Sequence, residues 1–218
     1  MNLTQELQNF RNQFQGNVPT AVQSKMAQAT QYLVDSEISQ KAIQTGDRAP
    51  NFTLPNALGK SVELQALLQS NVVVLAFYRG QWCPYCNLEL RALQNYLPKI
   101  QALGATLVAI SPQTPDHSLS TAEKHELTFE VLSDAGNQVA KQFGLVFTLS
   151  EDLRPIYEDF GIDLPAHNGD QTFELPIPAT YVVDRTGTVV HAFVNPDYTQ
   201  RLDPEELISI LEKLAPNS

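Results

Sequence analysis

The sequence contains few cysteines and few basic residues, with two Cys in 218 residues and 14 Lys and Arg against 24 Asp and Glu. The formal net charge of -10 argues against nucleic acid and anionic membrane as partners, because binding to either depends largely on clustered Lys and Arg. The two cysteines and four histidines lack the second ligand pair that a zinc site needs. We therefore expect no metal, flavin or nucleotide cofactor.

Long apolar runs and a secretion signal are also missing. The longest apolar run, residues 72–78, has the length of a buried strand and falls well short of the roughly 18 to 20 residues of a membrane span. Residues 1–16 contain neither a basic n-region nor an apolar h-region. These absences predict a cytoplasmic protein with no membrane partner, in a compartment where thiols are kept mostly reduced.

Residues 1–45 are predicted to form a helical N-terminal arm. Apolar residues recur there at helical spacing, at Leu3, Leu7, Phe10 and Phe14. Residues 16–20 should break this helix before a second one begins. The arm could lie on the following domain or on a second subunit in a homodimer, and the alternative is a loosely attached extension.

Residues 46–218 have the pattern of one α/β domain. Apolar strands are predicted at residues 72–78 and 105–111, with a helix over residues 84–103 between them, which implies a parallel right-handed crossover. The remaining predictions are a helix around 122–125, a strand at 129–134, a helix at 137–145, a long insertion at 147–175 with some helix near 152–160, a hairpin at 179–194 and a helix at 204–214.

Both cysteines lie in one four-residue motif, Cys83-Pro84-Tyr85-Cys86, directly after the strand at residues 72–78. A C-x-x-C motif beside such a pattern, without a secretion signal, is typical of a thioredoxin-like redox site. Cys83 falls at the predicted helix start, where free backbone donors and the positive helix end lower a thiol pKa, and Pro84 suits the first turn. Cys86, one turn away, can then resolve the oxidised first sulfur.

Other interpretations of the motif are weaker. Half of a zinc site would need two further ligands, for which the four histidines have no suitable spacing. Two inert core thiols would have to fall by coincidence beside Trp82 and Pro84. A structural disulfide does not suit a reducing compartment.

From Gly46 to its end the chain resembles the alkyl hydroperoxide reductase and thiol-specific antioxidant (peroxiredoxin-like) branch of the thioredoxin superfamily. Residues 46–64, the Phe77-Tyr78 pair and residues 181–190 (YVVDRTGTVV) carry this resemblance. It implies a thioredoxin fold, with a central mixed β-sheet flanked by helices and a helical N-terminal extension. It also implies an antioxidant peroxidase that reduces hydrogen peroxide or organic hydroperoxides and is itself reduced by a thioredoxin-like protein or a small thiol.

The active-site motif departs from this family. Peroxiredoxins carry P-x-x-x-T-x-x-C, and FYRGQWCPYC puts Arg79 in the proline position, Cys83 in the threonine position and Cys86 in the peroxidatic position. A second family signature, an arginine before the strand ATYVVD, is replaced by Pro178.

These replacements resemble thioredoxin instead. WCPYC matches its W-C-x-x-C motif, and Ile177-Pro178 matches the cis-proline that thioredoxins place against the cysteine pair. Thioredoxins use the first cysteine as nucleophile, so this likeness nominates Cys83, whereas the peroxiredoxin frame nominates Cys86. The helix start favours Cys83, which we expect to be the more exposed of the two.

Several neighbours of the motif are candidate supporting residues. Arg79 could stabilise a thiolate or a peroxide oxygen, or it could be a solvated loop residue. Trp82 is expected to pack beside the motif and shield it, and the alternative is ordinary packing without such a role. Glu89, one turn after Cys86, could relay a proton, but we expect an ordinary exposed helix residue. The histidines are expected at the surface, without a catalytic role: His117, His125, His167 and His191.

The sequence therefore predicts a thiol peroxidase that cycles between a Cys83/Cys86 dithiol and a disulfide. Two alternatives stay open: a thioredoxin-like protein disulfide oxidoreductase, and a non-enzymatic redox sensor whose arm binds a partner in one redox state.

Overall fold

The computed structural model describes residues 2–214 and contains strands, helices and two short 3₁₀ turns at residues 135–137 and 151–153. The strands are β1 (Thr53–Pro55), β2 (Ser61–Glu63), β3 (Val72–Phe77), β4 (Ala105–Ser111), β5 (Glu130–Ser133), β6 (Val146–Thr148), β7 (Glu174–Pro176), β8 (Ala179–Val183) and β9 (Val189–Val194). The helices are α1 (Leu3–Asn17), α2 (Thr20–Asp35), α3 (Ile38–Lys41), α4 (Leu64–Leu68), α5 (Pro84–Ala102), α6 (Pro115–Lys124), α7 (Gln138–Gln142), α8 (Arg154–Asp159), α9 (Leu164–Asn168) and α10 (Pro204–Leu214).

Five strands form the central mixed sheet, in the order β5-β4-β3-β8-β9. β3 pairs in parallel with β4 and antiparallel with β8, while β4 pairs in parallel with β5 and β8 antiparallel with β9. Helices cover both faces of β3, and Val73, Val74 and Leu75 are therefore fully buried. This is the predicted thioredoxin fold, and the crossover through α5 and the hairpin of β8 and β9 are both confirmed.

The insertion after β5 differs from its prediction. β6 and β7 pair antiparallel and close the loop that contains α8 and α9, although the sequence indicated no strands there. Each of these strands has only three residues, which is too short to give a recognisable alternation. The helix predicted around residues 122–125 starts earlier than expected, since α6 begins at Pro115 and ends at Lys124.

The two long helices of the arm, α1 and α2, pack differently on the rest of the chain. In α1, Leu3 and Leu7 are buried in one cluster with Tyr85, Cys86 and Leu90 of α5. In α2 no residue is buried. The arm therefore lies on its own domain through α1, while a division at residue 45 into arm and domain stays a prediction.

Within the described residues 2–214, no helix is both long enough and apolar enough to cross a membrane.

Truncation of Leu7 tests whether α1 belongs to the folded core. Leu7→Ala should lower the free energy of unfolding by about 2 to 5 kcal/mol, because it leaves a cavity against α5. Leu58→Ala is the matched control, since Leu58 is 82% exposed and its truncation should change stability by about 0.5 kcal/mol or less. Urea unfolding followed by circular dichroism measures both, and equal effects of the two substitutions would show that α1 is loosely attached.

Candidate active site

The cysteine motif lies where the central strand β3 gives way to α5. Cys83 is the N-cap residue of α5, Pro84 occupies the first turn, and the Asn87 N–H donates to the Cys83 carbonyl at 3.1 Å. The Cys83 N–H donates to the Gly80 carbonyl at 3.1 Å, which fixes the loop before the helix. Cys83 thus stands at the predicted helix start, with Cys86 one turn into the helix.

Both thiols are free and buried. Cys83 is 2% exposed and Cys86 is 0% exposed, so Cys83 is the more exposed of the two only by a narrow margin and neither sulfur lies at the surface. Tyr85 and the half-buried Trp82 pack in the same cluster as the two cysteines, and so do Leu3 and Leu7 of α1, whose long-range contact the motif alone does not reveal. Trp82 packs beside the motif, and its shielding role stays a prediction.

Arg79 is buried beside the motif and is not the solvated loop residue considered above. Its side chain lies over the rings of Trp82 and Tyr198, with its Cζ 4.8 Å and 4.5 Å from the two ring centroids, and Nη2 donates to the Tyr157 hydroxyl. Aromatic faces attract a guanidinium electrostatically and so offset part of its lost hydration. Arg79 is 3% exposed, which brings a permanent positive charge into the protein interior.

Gly80 allows Trp82 to lie against Arg79. Its φ of +150° favours glycine, and a Cβ at this position would come within 2.8 Å of Trp82 Cδ1. Any side chain here would displace the indole ring, so the sequence Arg79-Gly80-Gln81-Trp82 is suited to this contact.

A second buried arginine contacts Cys86. Arg201, in the loop between β9 and α10, donates from Nη2 to Cys86 Sγ at 3.3 Å and from Nε to Glu89 Oε2 at 2.6 Å. It also donates to the backbone carbonyls of Tyr198 and Gln200. Glu89 is 2% exposed, so the expectation of an exposed helix glutamate is wrong. The reason is its position on the face of α5 that carries Cys86, where Arg201 compensates its charge.

The surroundings shift the pKa values of the two thiols in opposite directions. Burial opposes ionisation of Cys83, but the hydrogen bond from Cys86 and the charges of Arg79 and Arg201 outweigh burial and lower the Cys83 pKa to about 6. Burial and the neighbouring Cys83 raise the pKa of Cys86 well above its usual range. The pair therefore shares one proton at neutral pH, held by Cys86.

Glu89 has a pKa suited to proton exchange. Burial raises the Glu89 pKa to about 7, against the opposite effect of Arg201, and Cys86 raises it further. A carboxyl group that gains and loses a proton near neutral pH thus lies one turn from Cys86.

The Ile177–Pro178 peptide bond is trans, as is every peptide bond in residues 2–214. The match to the thioredoxin cis-proline is therefore limited to residue type and to the place of Pro178 directly before β8. Pro178 lines a cavity together with Arg79 and Tyr198.

The histidines are half-buried, and two of them lie near the motif. His117 Nδ1 is 3.0 Å from Gln81 Nε2, and its ring packs on His167 with centroids 4.5 Å apart. Gln81 in turn donates its backbone N–H to Gln113 Oε1 at 2.9 Å. Among residues 2–214, no three His, Cys, Asp or Glu side chains are grouped so that they could hold a metal ion.

Comparison with known proteins gives consistent matches. The AhpC/TSA family matches residues 45–192. The chain is 28% identical over 195 residues to a chloroplastic peroxiredoxin Q of Populus jackii, covering 87% of this chain and 80% of the relative. It is 30% identical over 175 residues to a chloroplastic peroxiredoxin Q of Triticum aestivum, covering 80% and 68%.

Solved structures share the fold. Peroxidoxin BcpB from Mycobacterium tuberculosis superposes with a TM-score of 0.63 at 23% sequence identity, covering 79% of this chain and 98% of that chain. The family match ends before Arg201 and begins after α2, so the second arginine and the arm lie outside it.

Breaking the buried Arg201–Glu89 pair should destabilise the protein. Arg201→Met leaves Glu89 buried without a cation, at a cost of about 3 to 5 kcal/mol in the free energy of unfolding. Adding Glu89→Gln should recover much of this loss. Because the folded-state pKa of Glu89 is raised, its protonation relieves the unpaired charge, and the deficit of Arg201→Met should be smaller near pH 5 than near pH 8.

Chemical denaturation at the two pH values provides the measurement. Arg11→Met is the control, because the Arg11–Asp197 pair is partly exposed and its loss should cost about 1 kcal/mol or less. An Arg201→Met protein as stable as Arg11→Met would contradict the buried pair.

Proposed function

The chain belongs to the AhpC/TSA family, and on that basis we propose that it is a thiol-dependent peroxidase acting on hydrogen peroxide or organic hydroperoxides. The observation that carries the proposal is the Cys83 thiol at a helix start, with its pKa lowered to about 6 by its neighbours, Arg79 among them. A thiolate is the reactive form towards a peroxide, and here it forms below neutral pH. The peroxiredoxin names of the relatives support the same activity.

Cys83 is the proposed attacker. Its thiolate attacks one peroxide oxygen, the S–O bond forms as the O–O bond breaks, and the leaving oxygen departs as water or an alcohol after taking a proton. The resulting sulfenic acid is then attacked by the Cys86 sulfur, which forms the Cys83–Cys86 disulfide and releases water. An external thioredoxin-like protein or small thiol restores the dithiol.

The two arginines have separate proposed roles. Arg79 stabilises the Cys83 thiolate and the negative charge that develops on the peroxide oxygens. Arg201 holds Cys86 in place, and Glu89 accepts the proton that Cys86 loses when it resolves the sulfenic acid. Together these cations replace the family arginine, whose position is occupied by Pro178.

Burial favours the peroxidase over the disulfide oxidoreductase. A peroxide can diffuse to a sulfur that is 2% exposed, whereas exchange with any protein thiol or disulfide, including that of a thioredoxin-like reductant, first needs the surroundings of the cysteine pair to open. The redox-sensor alternative rests on the arm, of which α1 packs in the cluster that contains both cysteines. A cytoplasmic location and a homodimer remain predictions, and the two plant relatives are named chloroplastic.

Serine substitutions test the proposed function. Wild-type protein treated with one equivalent of peroxide should form an intramolecular disulfide, seen by mass spectrometry as the loss of two hydrogens from a monomeric chain. Cys86→Ser should stop at a sulfenic acid on Cys83 that dimedone traps, because the resolving thiol is missing. Cys83→Ser should lose peroxide turnover by about a hundredfold or more, as expected when the nucleophile is removed.

Two different outcomes would contradict the order of attack and the peroxidase function, respectively. Dimedone labelling of Cys86 in a Cys83→Ser protein that still turns over would reverse the order of attack. Negligible peroxide consumption beside robust reduction of insulin disulfides would replace the peroxidase by the oxidoreductase.

A further inference from the structure

A mainly apolar cavity of about 110 Å³ reaches Arg79, the buried arginine next to the cysteine motif. The arm helix α2 contributes Met26, Ala29 and Leu33 to its wall, and these residues are half-buried. Arg79 and Tyr157 also line it and are buried. The cavity therefore extends from α2, near the surface, towards the guanidinium that faces the reactive thiol.

Arg79 has an unsatisfied donor. Its Nε has no hydrogen-bond partner, although the side chain is 3% exposed and Nη2 is bonded to Tyr157. Leaving a buried donor unpaired costs free energy that a ligand acceptor would recover. An apolar cavity that ends at such a donor suits a ligand with a hydrocarbon body and an oxygen acceptor.

One face of α2 carries a stripe of apolar side chains that are only half-buried, as expected for the wall of a cavity. Val22, Met26, Ala29 and Leu33 recur at helical spacing and are half-buried, whereas no residue of α2 is buried. Met26 is flexible and can adjust to the shape of a bound group. The stripe therefore covers the cavity without filling it.

We propose that α2 forms the recognition site for the hydrocarbon part of an organic hydroperoxide, with the hydroperoxide group directed to Arg79 and Cys83. This inference rests on the proposed peroxidase function and assigns part of its specificity to the arm, outside the matched family region. The cavity of about 110 Å³ is smaller than the cavity of about 150 Å³ that holds benzene, so it suits a compact branched group, or a single ring that extends past α2 towards the surface, better than a long chain.

Filling the cavity should change selectivity between substrates. Ala29→Phe should lower the ratio of kcat/KM for cumene hydroperoxide to kcat/KM for hydrogen peroxide by about tenfold or more, because the added ring occupies the space of the substrate ring. Ala21→Phe is the matched control, since Ala21 is exposed on the same helix and does not line the cavity, and it should leave the ratio unchanged. An unchanged ratio in Ala29→Phe would overturn the inference.

Binding measured without turnover separates this inference from the peroxidase function. Trp82 is the single tryptophan of the chain and lies against Arg79, so its fluorescence reports on the cavity. In a Cys83→Ser background, 2-phenyl-2-propanol, the product from cumene hydroperoxide, should change this fluorescence saturably. Ala29→Phe should weaken the binding by about tenfold, and Ala21→Phe should not.

The two failures are distinguishable. Absence of saturable binding would overturn the cavity assignment even where peroxide is consumed. Saturable binding that Ala29→Phe weakens, in a protein that consumes no peroxide, would support the cavity assignment and count against the peroxidase function alone.

Discussion

Positive charge buried next to a pair of thiols is the constraint on which the rest of the structure depends. An arginine keeps its charge in the interior, so each guanidinium must find compensation there. Arg79 is stabilised by aromatic faces and the Tyr157 hydroxyl, and Arg201 is stabilised by Glu89 and two backbone carbonyls. Both guanidinium groups favour a thiolate on Cys83. The contacts that stabilise the buried arginines therefore also hold the charges that activate the thiol.

The fold brings these groups together from distant segments. The end of β3 and the start of α5 position the cysteines and Arg79, and the loop before α10 supplies Tyr198 and Arg201. The insertion closed by β6 and β7 supplies Tyr157, and α1 packs against α5 beneath the motif. The site therefore depends on the packing of the whole domain, and its burial explains how two reactive thiols are kept from most other molecules in solution.

The local part of the site could be predicted from the sequence, because it depends on neighbouring residues. The apolar run of β3, the periodicity of α5 and Pro84 after Cys83 together indicate a thiol at a helix start. Arg201 could not be found in this way, since it lies 112 positions from Glu89 and 115 from Cys86. A signal was present in the spacing of Cys86 and Glu89, which share a helix face, yet only the tertiary packing decides that this face is buried.

Buried cations lower the Cys83 pKa and leave the proton on Cys86. A titration of thiolate ultraviolet absorbance against pH, in the wild-type protein and in Arg79→Met, tests this directly. We expect a first step near pH 6 and a second well above the usual cysteine range, with the first step moved to higher pH in Arg79→Met. Two thiols that both titrate at or above about 8.5, unaffected by the substitution, would contradict it.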